Sequence, residues 1–306
     1  MNILVTGCNG QLGNCIREYH RSKMPVDFVV NNKFIFTDIN IEGDVNTDTI
    51  RFTKLDITNY DDVLALLKEE NVNMIVNCAA YTNVDKAEED EPNIAYVVNA
   101  AAVDNLAMAA SEVGAKMIHV STDYVFDGKG HKPYTENNIT NPINVYGQTK
   151  YAGENLLFER LGDDGLVIRT AWLYSNFGKN FVKTMIKLGG ERDELNVVFD
   201  QVGTPTFADD LAEVICKIIM SDKWVGGIYH YTNEGICSWY DFAVAIMDLY
   251  DLDCKVHPVH SNDYPTKAAR PHYSVLDKTK IKETYGIEIP YWRDSLKKCL
   301  GLNFID

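Results

Sequence analysis

The chain has 306 residues, with 29 Lys and Arg against 44 Asp and Glu, a formal net charge of −15. That surplus of acid excludes general affinity for nucleic acid, which needs basic stripes, although a few cations or backbone N–H groups can still make a local anion site. Hydrophobic residues at 46% and charged residues at 24% are the balance of an ordinary globular protein, and the length suits two packed domains.

No apolar run reaches the roughly 20 residues that cross a bilayer, and Met1-Asn2-Ile3-Leu4-Val5 enters structure at once. The expectation is a cytoplasmic protein with no membrane association. The seven cysteines (Cys8, Cys15, Cys78, Cys216, Cys237, Cys254, Cys299) are odd in number and form no C-x-x-C pair. They read as small core hydrophobes, and no metal site is expected.

The first strand, Asn2–Thr6, runs into Gly7-x-x-Gly10-x-x-Gly13. Gly7 permits a tight turn, Gly10 close approach of backbone to a pyrophosphate, and Gly13 close helix–strand packing. The helix starting near Gln11 aims free N–H groups and its positive dipole end at phosphates. At the first strand of an alternating α/β chain, this outweighs an ordinary strand–turn–helix corner. The segment Met24–Thr53, with apolar Val26–Val30, is long for what lies between two strands. Further strands are expected at Phe34–Asp38, Phe52–Asp56, Met74–Cys78, Lys116–Ser121 and Leu166–Thr170. Helical patterns at Asp61–Glu70, Ile94–Val113 and Val145–Leu161 separate them. Runs such as Met74-Ile75-Val76 suit strands covered on both faces. The alternation implies a Rossmann-type, doubly wound parallel sheet.

Asp38 ends the second strand, where a carboxylate can accept hydrogen bonds from an adenosine ribose and repel a 2′-phosphate; otherwise it starts a turn. Asp56-Ile57 after the third strand is placed to meet an adenine, and Ala79-Ala80 after the fourth to lie along the cofactor. The run Glu88-Glu89-Asp90-Glu91 reads as a solvated surface. Beyond Thr170 the rhythm changes, with helices expected at Asn180–Leu188, Phe207–Met220 and Ser238–Leu249 among proline-bearing loops. The expected division is a dinucleotide-binding domain over 1–170 plus roughly 195–225. A smaller, interleaved substrate-binding lobe is expected over 171–194 and 226–306.

Tyr146-Gly147-Gln148-Thr149-Lys150 places a phenol and an ammonium at i and i+4, on one helix face. A cation at about 4 Å and an effective dielectric near 20 is worth roughly 4 kcal/mol to a phenolate. That could lower the tyrosine from about 10 toward about 7 before desolvation opposes it. Such a group can protonate a ketone oxygen as hydride reaches the carbon. Ser121-Thr122, at the end of the preceding strand, offers hydroxyls that could polarise the same carbonyl, with either residue as donor. As a structural reading, the pair is a turn with local side-chain bonds.

The glycine loop with Tyr146-x-x-x-Lys150 resembles the extended short-chain dehydrogenase/reductases. Val76-Asn77-Cys78-Ala79-Ala80-Tyr81-Thr82-Asn83-Val84-Asp85, Ser121-Thr122-Asp123-Tyr124-Val125-Phe126-Asp127-Gly128, Asp200-Gln201-Val202-Gly203-Thr204-Pro205 and Ala269-Arg270-Pro271 narrow the resemblance. They look like the dTDP-4-dehydrorhamnose reductase family. The resemblance implies hydride transfer from NADPH or NADH to a sugar-nucleotide C4 ketone, with Tyr146 as proton donor, Lys150 as its partner and Thr122 as the polarising hydroxyl. It implies cofactor contacts at Gly10-Gln11-Leu12, Asp38, Asp56-Ile57 and Ala80-Tyr81-Thr82. Substrate contacts are implied at Thr122, Asp123 and Trp172. Arg270 either pairs with the substrate diphosphate or ties down the lobe. Some family members dimerise through a divalent metal held partly by a glutamate two residues after the third glycine. Cys15 stands there in this chain and is no natural magnesium ligand. Oligomeric state is therefore left open.

Two other readings share these motifs. One is a sugar-nucleotide epimerase or dehydratase of the same superfamily; Tyr124-Val125 after Thr122-Asp123 disfavours the dehydratase, which commonly has a Glu pair there. The other is a non-catalytic NAD(P)-binding regulatory subunit, like the β subunit of eukaryotic methionine adenosyltransferase.

Overall fold

The computed structural model describes residues 1–41, 46–89 and 91–301. Six strands follow the sequence rhythm: β1 Asn2–Thr6, β2 Lys33–Asp38, β3 Ile50–Lys54, β4 Met74–Asn77, β5 Lys116–Thr122 and β6 Gly165–Thr170. With an edge strand, Gly227–His230, they form one parallel sheet in the order β3-β2-β1-β4-β5-β6-edge. Strand order reverses between β1 and β4, which opens a crevice beyond their C-terminal ends.

Alternate side chains of each strand go to opposite faces. Ile3, Val5, Phe34, Phe36, Val76, Ile118 and Ile168 pack against helices Gln11–Ser22 and Ala208–Met220. Leu4, Ile35, Ile75, Met117 and Val167 pack against Tyr60–Glu69, Ala102–Val113 and Val145–Leu161. A third core lies away from the sheet, with Tyr174, Val182, Leu195, Val197, Phe207, Phe242, Ile246, Trp292 and Leu296.

Several segments differ from expectation. The third strand lies two residues earlier than Phe52–Asp56, because its pairing with β2 ends at Asp38 opposite Lys54. Asp56 is then free to bind the Thr58 N–H at 2.9 Å and hydroxyl at 2.7 Å in a local turn. The long Met24–Thr53 segment holds a short helix, Val26–Asn31, that sets Phe28 and Val29 against the first core; residues 42–45 lie outside those described. Glu194–Val198, expected with the sheet domain, pairs instead with Lys255–Val259 and sends Leu195 and Val197 into the third core. Gly227–His230, expected in the lobe, extends the sheet.

The expected Ile94–Val113 helix begins at Pro92 and carries a π-turn at Val97–Ala101. Contrary to the sequence reading, Pro92–Val113 is long and apolar enough by length and composition to cross a membrane. Half of it is buried, and Val103, Leu106, Ala107 and Ala110 pack on the sheet, as a core helix does. In the acidic run, Glu88 accepts the Val145 N–H at 2.9 Å, a carboxylate at the positive end of the Val145–Leu161 helix. Glu91 accepts the Tyr81 hydroxyl. Asp90 lies outside the described residues.

Candidate active site

The glycine loop follows from tight contacts around β1. Gly7 sits at φ +64°, and a Cβ there would stand 2.6 Å from the Ala79 nitrogen. At Gly13 a Cβ would fall 2.3 Å from the Gly7 carbonyl oxygen, which lets helix Gln11–Ser22 press against the turn. That helix is capped by Gly10 with no side-chain acceptor and has no acid in its first turn. Its leading N–H groups therefore have no competing side-chain anion. Asp38 accepts the Asn9 N–H at 3.1 Å and so braces the loop from β2.

Two cavities meet at this loop. One of about 460 Å³ is lined by Gly7, Gly10, Asp38, Asp56, Ile57, Ala79, Ala80 and Tyr81. The other, of about 560 Å³, is lined by Gly10, Gln11, Leu12, Ala80, Thr82, Thr122, Asp123, Tyr146, Lys150 and Trp172, with Ser121 among them. Gly13 lines neither, consistent with a packing role. Gln11 does more than line the cavity, since its Oε1 accepts Ser175 Oγ at 3.0 Å and Asn180 Nδ2 at 2.9 Å, joining the glycine helix to the lobe.

Asn144 caps the helix that carries Tyr146 and Lys150, accepting the Gly147 N–H at 2.8 Å. Gly147 is required there, because a Cβ would lie 2.2 Å from the Tyr124 carbonyl oxygen. Lys150 is 2% exposed; its Nζ donates to the Val120 carbonyl at 2.7 Å and lies 3.3 Å from His119 Nε2. Burial pulls the ammonium down to about 8, against the opposing charges of Glu154 and Cys78. Contrary to the lowering expected from Lys150, the Tyr146 phenol is pushed up to about 12, first by burial and then by Asp123, with the Thr122 hydroxyl opposing. Desolvation is the dominant cause, so Tyr146 keeps its proton at neutral pH. Thr122 donates to Asp123 Oδ1 at 3.0 Å, and burial pushes the Asp123 carboxyl up to about 7 against the hydroxyls of Ser274 and Thr122. The Ser121 hydroxyl is buried with no hydrogen-bond partner among the described residues.

On the lobe side, Trp172 holds φ +50°, a rare conformation for a bulky residue. Its ring stacks on Trp239 with centroids 3.6 Å apart. A third cavity, of about 680 Å³, is lined by Trp239, Phe181, Met185, Asn196, Gln201 and Arg270. Arg270 lines this cavity and not the one that holds Thr122, Asp123 and Trp172, although it bonds Tyr124 of that second cavity. Both its terminal nitrogens bind Asp85, at 2.7 and 3.2 Å, and the Ala268 N–H binds the same carboxylate at 3.1 Å.

The sequence reading missed Trp239, Asn99, Asn77 and His119. Asn99, turned inward by the π-turn, binds both the N–H and the carbonyl of Tyr81, at 2.8 and 3.0 Å, and fixes the strand exit. Asn77 closes the apolar strand β4 and His119 stands in the middle of β5; only their strand register brings the two together.

A doubly wound sheet, a glycine loop at its switch point and a Tyr-x-x-x-Lys helix beside it define a dinucleotide-binding protein of the short-chain dehydrogenase/reductase type. Residues 1–303 match the family described as RmlD substrate binding domain. A dTDP-4-dehydrorhamnose reductase from Aggregatibacter actinomycetemcomitans is 41% identical over 96% of this chain and 97% of its own. The crystal structure of a dTDP-4-dehydrorhamnose reductase from Clostridium acetobutylicum superposes with a TM-score of 0.88 at 45% identity, covering 99% of each chain. One from Bacillus anthracis, solved in complex with NADP, gives 0.84 at 36% identity and the same coverage. The chain belongs to the RmlD, or dTDP-4-dehydrorhamnose reductase, family.

Proposed function

We propose that the chain is a cytoplasmic, NAD(P)H-dependent reductase that converts dTDP-4-dehydro-L-rhamnose to dTDP-L-rhamnose. The observation that carries this reading is the convergence of Tyr146, Lys150 and Thr122 with Gly10 and Ala80 on one cavity. The residues fit a dinucleotide: Gly10 caps the helix with no side-chain acceptor, while Asp38, Asp56 and Ile57 line the adjoining cavity. NADPH or NADH supplies a hydride when bound.

The chain's own residues do the rest. Thr122 is the donor that polarises the C4 carbonyl, exchanging its bond to Asp123 for one to the substrate oxygen. Tyr146, protonated at neutral pH, gives its proton to that oxygen as it becomes an alkoxide. The phenolate left behind is stabilised by the Lys150 ammonium on the next turn. Trp172 and Trp239 form an aromatic wall between the catalytic cavity and the 680 Å³ cavity, which has room for the nucleotide portion of the substrate. Arg270, paired with Asp85, ties loop 268–271 to the Val84–Glu89 helix.

The test is loss of reduced-nicotinamide absorbance with NADPH and, separately, NADH. Substrate is supplied as dTDP-4-dehydro-6-deoxyglucose with a 3,5-epimerase. Epimerase-dependent oxidation is expected. Cofactor binding without any oxidation would overturn the reductase reading in favour of a regulatory NAD(P)-binding subunit.

A further inference from the structure

Thr37, Thr6, Asn77 and His119 occupy one register row across β2, β1, β4 and β5, and none has any exposed surface. Buried polar groups in an apolar sheet must satisfy one another. Thr6 Oγ1 donates to Asn77 Oδ1 at 2.6 Å, and the Ala79 N–H donates to the same atom at 3.2 Å. A backbone N–H only donates, so this atom is the amide oxygen and the orientation of Asn77 is fixed. Its Nδ2 then faces His119 Nδ1 at 3.0 Å as a donor. Nδ1 must accept, which places the single proton of the neutral ring on Nε2. That N–H points at Lys150 Nζ, 3.3 Å away.

We propose that His119 is a positioning residue for Lys150, held by Asn77 as the Nε2–H tautomer so that it donates to the lysine's amine form. An ammonium has three donors and no lone pair, so it gains nothing from a facing N–H; an amine accepts it. The row therefore loosens the proton of the Lys150 ammonium: the cation that stands beside the Tyr146 phenolate gives up its charge at a lower pH than it would facing an acceptor. Burial acts in the same direction on Lys150, and burial together with the lysine's charge keeps His119 neutral. Four other titratable or charged groups stand near Lys150, besides Asp123 of the same cavity. They are Tyr146 and Glu154 on its own helix, Cys78 after β4, and Arg169 on β6, which binds Glu154 through two nitrogens at 2.9 and 2.6 Å.

The activity readout rests on the reductase reading; the spectroscopic one does not. In full-length protein labelled with ¹⁵N-histidine, long-range proton–nitrogen spectra distinguish the two tautomers, and the His119 signals are assigned by their loss in His119→Gln. A protonated Nε2 and an unprotonated Nδ1 are expected; the reverse overturns the proposal. Asn77→Asp keeps an acceptor for Thr6 and Ala79 and presents a second acceptor to His119. It should move the ring proton to Nδ1, leaving Nε2 to accept from the ammonium. The alkaline limb of kcat/KM should then rise by about 1–2 pH units, the size of a hydrogen bond to a charged group. A switched tautomer with an unmoved limb overturns the coupling to Lys150. A wild-type protein that turns over no sugar nucleotide counts against the reductase reading alone, and the tautomer spectrum then decides. It also decides if Asn77→Asp fails to fold.

Discussion

The two ends of the cleft are held in different ways. At the glycine-loop end, strand register and backbone contact place the groups: β1 delivers Gly7, β4 delivers Ala79, and the helix after β5 brings Tyr146 and Lys150 over the edge. At the lobe end, side chains distant in sequence hold one another. Trp172 keeps its left-handed backbone, at a cost on the order of 1–2 kcal/mol, against the stacked Trp239 and a glycine at 203 whose Cβ would strike the indole at 2.9 Å. A site built by a sheet survives changes in its loops. One built by packed side chains can be retuned residue by residue.

The sharpest break at the first end is Tyr146→Phe, which removes the hydroxyl proposed as the proton donor and leaves the helix intact. Turnover should fall about 10²–10⁴-fold while dissociation constants for NADPH and NADH stay within a few-fold. Unchanged turnover would dismiss Tyr146 as donor.

Asp123, at the end of β5, joins the two regions. Its carboxyl is raised to about 7 in the folded protein, first by burial, against an ordinary value of 3.8. The fold therefore favours the protonated acid. Its contribution to stability is complete below about 4 and is lost as pH rises to about 7, where ionisation of the buried group opposes folding. Asp123→Asn should gain stability over wild type across that window, by a few kcal/mol at the upper plateau, while losing activity. Denaturant melts at pH 5 and pH 8 measure the difference, and equal gains at both would refute the buried-acid account.

Trp239→Ala tests whether the lobe end serves the substrate. The stack is worth about 0.5–1.5 kcal/mol beyond its buried area, so KM for the sugar nucleotide should rise up to about tenfold. KM for the nicotinamide should hold. A parallel rise in both would mean that the tryptophans support the fold rather than the ligand.

This contrast also explains what the sequence made legible. Period and glycine spacing located the strands, the dinucleotide loop and the Tyr146 helix, because each is a local consequence of backbone geometry. Strand ends were less legible: the third strand stops at Lys54 because of its partner, a fact absent from its own residues. The pKa of Tyr146 was misjudged in sign, since an i+4 lysine is visible in sequence and desolvation is not. Trp239 was invisible, 67 residues from the ring it stacks on (239 − 172). His119 and Asn77 became meaningful only once register set them side by side.

The smallest effect decides the role of Arg270. If Asp85 merely occupied a guanidinium meant for the substrate diphosphate, Asp85→Asn would free it, and KM for the sugar nucleotide would fall. As a tie between the Val84–Glu89 helix and loop 268–271, the pair should act in the opposite direction. Burial alone would raise Asp85, yet Arg270 and the Ala268 N–H outweigh it and hold the carboxyl below its usual value, so the pair is formed at neutral pH. Its side chains are 22% and 41% exposed, which limits its worth to about 0–1 kcal/mol. Asp85→Asn should therefore raise KM no more than about fivefold and leave kcat unchanged, because loop 268–271 loses an anchor while the catalytic cavity keeps all its residues. A lowered KM in steady-state kinetics at low salt would reassign Arg270 from tie to ligand.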